Sequence, residues 1–471
     1  MLQQLGQLPM GWLLTALLLF VVSAGFSIGR IRAERYSLSS SGKFHSRPNY
    51  HGYYVAMWGL APALILALAY LLLAEPLARD LLTRELPAAF HRLPKAELVS
   101  YLDAVSAVSA HGAYDGSDRV FTAVTHRYLE LSGSLKITTL AMILLSAVLG
   151  VMFARSHVSP DFRARQRVES GAELFLFLCA AIAIATTVGI VASLFYESIR
   201  FFSQVPVTDF LFGTRWNAQT NAEFGAVPLF FGTFMIALIA MFVAAPVGLF
   251  AAIYLSEYAS GKTRAYVKPL LEVLAGIPTV VYGFFALLVV APGVRSIALW
   301  INATLIDVGL ANGPVFAAQP TSALAAGLVM GIMVIPFVSS LSDDVINAVP
   351  QTLRDAAFAM GATKSETIKQ VILPAALPGI VASLLLAVSR AIGETMIVVM
   401  AAGQRARISF DPSTDLTTIT VQIVALLTGE TEFDSPKTLS AFALGLVLFL
   451  VTLCFNLIAL RVVQRYREKY E

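Results

Sequence analysis

Three features of this chain predict an all-α, polytopic membrane fold: sparse charge, long apolar runs, and basic residues gathered in alternate connections. Hydrophobic residues make up 57% of the 471 positions and charged residues 13%, whereas an ordinary soluble domain is about a quarter charged. A helix needs about 20 apolar residues to cross the hydrocarbon core. Nine runs approach or exceed that length, near 11–28, 53–74, 137–154, 174–195, 227–255, 271–292, 322–340, 377–402 and 439–461. Lipid offers no partners to backbone N–H and C=O groups, so these runs close their hydrogen bonds internally as helices. A transmembrane barrel would show segments of about ten residues in strict alternation, a pattern this sequence lacks.

The first run has no Lys or Arg ahead of it in residues 1–12, while Arg30, Arg32 and Arg35 follow at once. A signal peptide has the reverse arrangement, so this run reads as a retained span with its amino end outside. A basic, Ser-rich loop (37–47) precedes the second run. Segment 75–136 then mixes a helical stretch, 96–108, with a Gly/Asp turn cluster from His111 to Asp118, and reads as a small periplasmic cap. The third run returns to Arg155, Arg163, Arg165 and Arg167; later basic groups are Lys262, Arg264 and Lys268, then Arg354, Lys364 and Lys369, then Arg461, Arg465, Arg467 and Lys469. Opposite connections carry fewer, such as Arg200 and Arg215, or Arg295 alone, with Arg405 and Arg407 as exceptions. Retained positive loops mark the cytoplasmic side, which places the amino terminus outside and the carboxyl terminus inside. The chain divides near residue 165, into a three-span extension (1–165) and a six-span core (166–471).

Smaller signals fill in the core. Pro246 and Gly248 are expected to interrupt the fifth span, and Pro278 lies within the sixth. The connection from Phe201 to Gly225 is rich in aromatics with Arg215; it suits either contact with a soluble partner or packing on its own helix ends. Cys179 and Cys454 both fall within spans and read as small packing hydrophobes, with no metal site or disulfide framework. No nucleic-acid motif occurs.

The most informative connection runs from Pro350 to Pro374. Pro350 suits a first helical turn, Gly361 suits a chain reversal at positive φ, and Thr363 with Glu366 has capping-box spacing. Pro374 is expected to stop the second helix and open the next span. Ala356 and Ala357 give the first helix a smooth face on which another protein can pack. This stretch closely resembles the EAA loop of ABC importer permeases: Glu-Ala-Ala, three residues, Gly, nine residues, Ile-x-Leu-Pro. Here it stands as Asp355-Ala356-Ala357, Gly361 and Val371-Ile372-Leu373-Pro374, with conservative changes at 355 and 371. The resemblance implies an ATPase-coupling role for Asp355, Ala356, Ala357, Gly361, Leu373 and Pro374.

The eighth run holds Arg390 and Glu394 inside an apolar stretch. A charge at the bilayer centre costs about 2.5–3.5 kcal/mol on insertion scales, so such residues usually have a task. On a continuous helix the two share a face at i and i+4 and can pair. They are expected either to lock two helices permanently or to offer a passing anion a temporary positive partner that Glu394 orients. Arg390-Ala-Ile-Gly-Glu394-Thr395-Met396, running into Ile397 to Gly403, resembles the PstC family of phosphate-specific transport permeases. Gly276 to Phe284, Ala251 to Tyr258 and Phe210 to Asn217 support that resemblance, which spans about 170–460. It implies a substrate path through Arg390, Glu394 and Thr395, an inner-membrane location, and inorganic phosphate as cargo. The implied partners are a sister permease, an ABC ATPase homodimer and a periplasmic phosphate-binding protein, in a setting of membrane lipid.

The chain has no Gly-x-x-x-x-Gly-Lys-[Ser/Thr] cradle for nucleotide phosphates, no nucleophile triad and no metal cluster. It is therefore expected to lack enzymatic activity and cofactors, with ATP hydrolysis in a separate subunit. Permeation of sulfate, molybdate or phosphonate, a gradient-driven transporter, and a membrane phosphate-status sensor or scaffold are the competing readings.

Overall fold

Apolar runs that must satisfy their own backbone become helices wherever the computed structural model describes the chain, over residues 10–39, 45–86, 90, 94–110, 119–218, 222–428 and 434–467. Nine helices among the described residues are long and apolar enough to span a membrane. Two compact units result, Met1–Ile184 and Ala185–Glu471, and the division falls within a single helix.

The first unit contains α1 (Met10–Ser39), α2 (Pro48–Glu85), α3 (Lys95–Ala110) and α4 (Arg119–Ser156). The helical stretch expected at 96–108 is α3; the turn cluster His111 to Asp118 lies outside the described residues. Lipid tails are as apolar as Leu, so membrane helices associate through close packing at small residues. Accordingly, Ala63 and Ala67 of α2 meet Ile143 and Ala147 of α4 and Val21 of α1 in one buried cluster. Beyond the apolar windows, α2 and α4 continue and hold α3 through Leu82, Leu102, Val105 and Val124. Arg79 pairs there with both Glu75 and Asp103.

Helix α5 (Ala164–Phe202) links the two units, and none of its apolar window is buried. The second unit continues with α6 (Val207–Phe212), a hairpin of β1 (Trp216–Asn217) and β2 (Glu223–Phe224), and α7 (Val227–Tyr258). Then come α8 (Gly261–Ala275), α9 (Thr279–Asp307), α10 (Ala323–Asn347), α11 (Gln351–Ala359), α12 (Lys364–Ile392), α13 (Met396–Ala401), α14 (Ile419–Leu427) and α15 (Pro436–Arg467). The hairpin is antiparallel, with Trp216 opposite Phe224, and is a small departure from an all-helical chain. Phe210, Trp216 and Phe224 are buried with Phe201, so most of the aromatic connection packs on its own helix ends. Phe212 and Arg215 remain exposed.

Helix α10 is the core of the second unit: 61% of its apolar window is buried, against 33% or less for every other span. Its partner is α7, and the two approach closely because small residues line the seam. A Cβ on Gly327 would come within 2.6 Å of Ile239, so only glycine fits there without a shift. Around this seam Ala240, Ala244, Met330, Val334, Ala387 and Ala391 form one buried cluster.

Three span expectations are corrected. Helix α7 continues through Pro246 and Gly248 without a break in its helical backbone. The sixth span begins at Thr279 rather than near 271, because Pro278 has extended ψ (134°) and Gly276–Pro278 separates it from α8. The eighth span ends at Ile392, where the backbone leaves the helix at Gly393 to Thr395.

Candidate functional site

Two groups of residues singled out by the sequence lie at the two ends of one helix, α12. The first is the helical hairpin at its start. Pro350, with φ −55° and ψ 137°, caps α11. The chain reverses at Gly361, whose φ is +86° and whose Cβ position faces open space. Thr363 then caps α12 with both halves of the capping box: its hydroxyl accepts from the Glu366 N–H, and its own N–H donates to Glu366 Oε2 at 2.8 Å. Pro374 does not stop the helix. The ladder widens to a π turn over Ile368–Ile372 just before it, so the N–H that Pro374 lacks falls where regular i→i−4 bonding is already relaxed. Leu373 is half-buried and packs beside Ile346, Ile368 and Ile372.

Helix α11 buries none of its residues in this chain. Asp355 and Ala356 are exposed, Ala357 is half-buried, and Leu353, Phe358 and Met360 stand exposed around them. Arg354 faces the other way. It is 14% exposed and lies 3.1 Å from Glu257, itself 11% exposed, at the end of α7. It also donates to the Ile346 carbonyl at 2.8 Å. An exposed apolar face with a charged anchor beneath it can accept a docking protein and pass its movement to α7.

A second ionic tie lies at the same end of α10. Asp343, buried, accepts from Arg264 at 2.9 Å and Lys268 at 2.9 Å, both on α8, while Lys268 also reaches Asp344 at 3.1 Å. The bond to Asp343 holds the Lys268 ammonium above the ordinary lysine range. Its proton is therefore bound more tightly in the folded protein, and the tie weakens only as pH rises through that elevated value. Sequence reasoning missed both ties. Arg264, Lys268 and Arg354 had registered only as markers of orientation, and the available signal was the pair Asp343-Asp344 closing a span beside a basic helix.

The second group is the break after α12. Arg390 and Glu394 do not share a helix face, and no ion pair joins them among the described residues, because α12 ends between them. The Arg390 guanidinium sits 5.6 Å above the Phe337 ring, with Nη2 4.0 Å from Met333 Sδ. Its side chain is exposed and has no carboxylate partner among the described residues. Glu394 Oε1 accepts from the Met396 N–H at 3.2 Å, and its carbonyl accepts from the Thr420 hydroxyl at 2.9 Å. Thr395 is half-buried, and its carbonyl accepts from the Val399 N–H within the start of α13. A cation left unpaired next to a fixed carboxylate is a place where an anion can stop briefly. Phe337 also lines a cavity of about 210 Å³ with Lys268, Glu272, Ser339 and Asp343, so the arginine and the α8–α10 tie share a neighbour.

At the start of α10, Arg405 and Arg407 both pair with Asp415, and Gln319 accepts from Arg407 and from the Asp415 N–H. Their position outside the basic pattern is thus explained by a local carboxylate. No group of three or more His, Cys, Asp or Glu able to hold a metal occurs among the described residues.

Gly361→Val is expected to loosen the hairpin by about 1–3 kcal/mol, the cost of a β-branched residue at positive φ. Since nothing crowds the site, the loss is of turn geometry alone. On the coupling role that the resemblance to the EAA loop implies, ATP hydrolysis per anion transported should rise in the variant; an unchanged ratio would count against docking here.

Residues 15–186 match a family described as "Phosphate ATP-binding cassette transporter", and residues 244–468 match one described as "Binding-protein-dependent transport system inner membrane component". The probable ABC transporter permease protein YqgH of Bacillus subtilis is 31% identical over 62% of this chain and 90% of its own length. The phosphate transport system permease protein PstC of Xylella fastidiosa strain Temecula1 is 35% identical over 56% of this chain and 82% of its own. A chain of a solved bacterial alginate ABC transporter, in complex with an alginate pentasaccharide-bound periplasmic protein, aligns over 64% of this chain and 98% of its own. That alignment is 18% identical, with a TM-score of 0.42, a likeness too slight to argue from.

Proposed function

The chain belongs to the PstC-like ABC transporter permeases, and on that premise we propose that it is the membrane-spanning subunit of an ATP-driven phosphate importer. Residues 166–471 are the permease core and residues 1–165 an added extension. The amino terminus lies in the periplasm and the carboxyl terminus in the cytoplasm of a bacterial inner membrane. A sister permease completes the path. A periplasmic binding protein delivers inorganic phosphate, and a separate ATPase homodimer docks on the hairpin of α11 and α12. The permease itself hydrolyses nothing.

The observation that carries this reading is Arg390: a guanidinium in an apolar helix, without a carboxylate partner among the described residues, beside the break that holds Glu394 and Thr395. Charged residues in membrane helices mark ion paths, and a transient anionic partner that Arg390 binds and releases accounts for this one. Closing of the ATPase dimer moves Asp355, Ala356 and Ala357; Arg354 carries that movement to α7 through Glu257, while Gly361, Leu373 and Pro374 carry it into α12.

The test is uptake of radiolabelled phosphate into proteoliposomes containing this chain, its partner subunits and the binding protein. ATP-dependent uptake that unlabelled sulfate, molybdate or phosphonate fails to suppress is the expected result. An assembled complex that hydrolyses ATP but imports no phosphate would retain the permease and discard the substrate.

A further inference from the structure

In the first unit, the last turns of α1 and α4 border an open pocket of about 600 Å³ lined by Ile28, Ile31, Arg32, Arg35, Tyr36 and Arg155. Three guanidinium groups share this pocket, and none of them forms an ion pair among the described residues. Arg30, one turn away on α1, is by contrast paired with Glu34 at 2.7 Å. Arg32 lies 5.6 Å over the Tyr36 ring, with Nη2 3.5 Å from the Tyr36 hydroxyl. Its Nε is buried and has no hydrogen-bond partner among the described residues. Leaving such a donor unmet costs about 1–3 kcal/mol, and three like charges around one cavity repel one another. Both costs are relieved by an anion.

The remaining lining says which anion. Ile28 and Ile31 are 36% and 49% exposed on the same wall, at the end of a helix apolar enough to span a membrane. An inorganic ion would satisfy the arginines and leave the isoleucines wet. A phospholipid satisfies both, because its phosphate is joined to acyl chains. Basic pockets between membrane helices suit anionic headgroups, and planar guanidinium groups bind phosphate oxygens through paired hydrogen bonds. We propose that this pocket binds the phosphate headgroup of an anionic phospholipid, with Arg32, Arg35 and Arg155 on the phosphate and Ile28 and Ile31 against the first carbons of a chain.

The test uses the full chain in nanodiscs of phosphatidylcholine containing a minor fraction of phosphatidylglycerol, with retained lipid read by native mass spectrometry. Phosphatidylglycerol should be enriched on the wild-type chain by about tenfold over the bulk, a free-energy preference of ordinary size for a charged contact. The triple variant Arg32→Gln/Arg35→Gln/Arg155→Gln should fall to the bulk ratio, and Arg30→Gln should keep the enrichment. If the triple variant does not fold, Arg155→Gln alone, at an exposed position, should lose part of the enrichment. Equal enrichment in wild type and arginine variants overturns the proposal. A second arm adds inorganic phosphate to discs of phosphatidylcholine alone. Thermal stabilisation of the wild type that the arginine variants lose, without enrichment of phosphatidylglycerol, would assign the pocket to the free ion and overturn the lipid headgroup.

Discussion

Arg390→Gln is expected to cut phosphate uptake by about ten- to a hundredfold while leaving the chain inserted and assembled. Hydrogen bonds to a charged group contribute about 1.5–3 kcal/mol, and about 1.4 kcal/mol corresponds to a factor of ten. Glutamine keeps a polar side chain but removes the charge that an anion would meet. It should not damage the fold, because Arg390 makes no ion pair among the described residues; what is lost inside the protein is the contact with the Phe337 ring and Met333. Contacts of that kind contribute about 0.5–1 kcal/mol at an exposed site. The measurement is uptake in proteoliposomes beside the ATPase rate of the same preparation. Uptake at the wild-type rate would remove Arg390 from the path.

Arg354→Met should separate ATP hydrolysis from transport and lower the stability of the second unit. It leaves Glu257, 11% exposed, as a buried carboxylate without its cation. Breaking a buried pair from one side costs about 3–5 kcal/mol. The two groups are 3.1 Å apart but not aligned as a hydrogen bond, since Arg354 Nη2 donates to the Ile346 carbonyl and Glu257 Oε1 accepts none; the lower end of that range is therefore expected. The double variant Glu257→Gln/Arg354→Met should recover most of the stability, because no unpaired charge remains, but it should stay uncoupled, because the link to α7 is gone. Thermal unfolding and the number of ATP molecules used per phosphate imported separate the two effects. A single variant as stable and as coupled as the wild type would show that the pair carries nothing.

The sequence made legible whatever rests on local chemistry. The nine apolar helices, the capping box at Thr363 and Glu366, and the positive φ of Gly361 follow from neighbours within a few residues of each other. The ends of the sixth and eighth spans were not legible. Apolar residues continue on both sides of Gly276–Pro278 and of Gly393–Thr395, so hydropathy runs through both breaks. What holds the second break open is distant in sequence: Thr420 donates to the Glu394 carbonyl across 26 positions. The expected pairing of Arg390 with Glu394 failed for the same reason, since i,i+4 geometry presumes a helix that has already ended. The Arg264–Asp343 tie joins residues 79 positions apart, and the charges involved had another sufficient explanation in the topology rule.

Helix α12 begins just after the turn made by Gly361 and ends two residues before Glu394. At about 1.5 Å per residue, its 29 residues make a rod long enough to cross the bilayer alone. Arg390 is mounted on the far tip of that rod, whereas Glu394 is moored to α13 and to Thr420. Any tilt imparted at Lys364 therefore swings the cation and leaves the carboxylate behind. On the docking role proposed for the hairpin, the gap between the two charges is a gauge of its state, readable by a pair of spin labels placed on either side of Gly393.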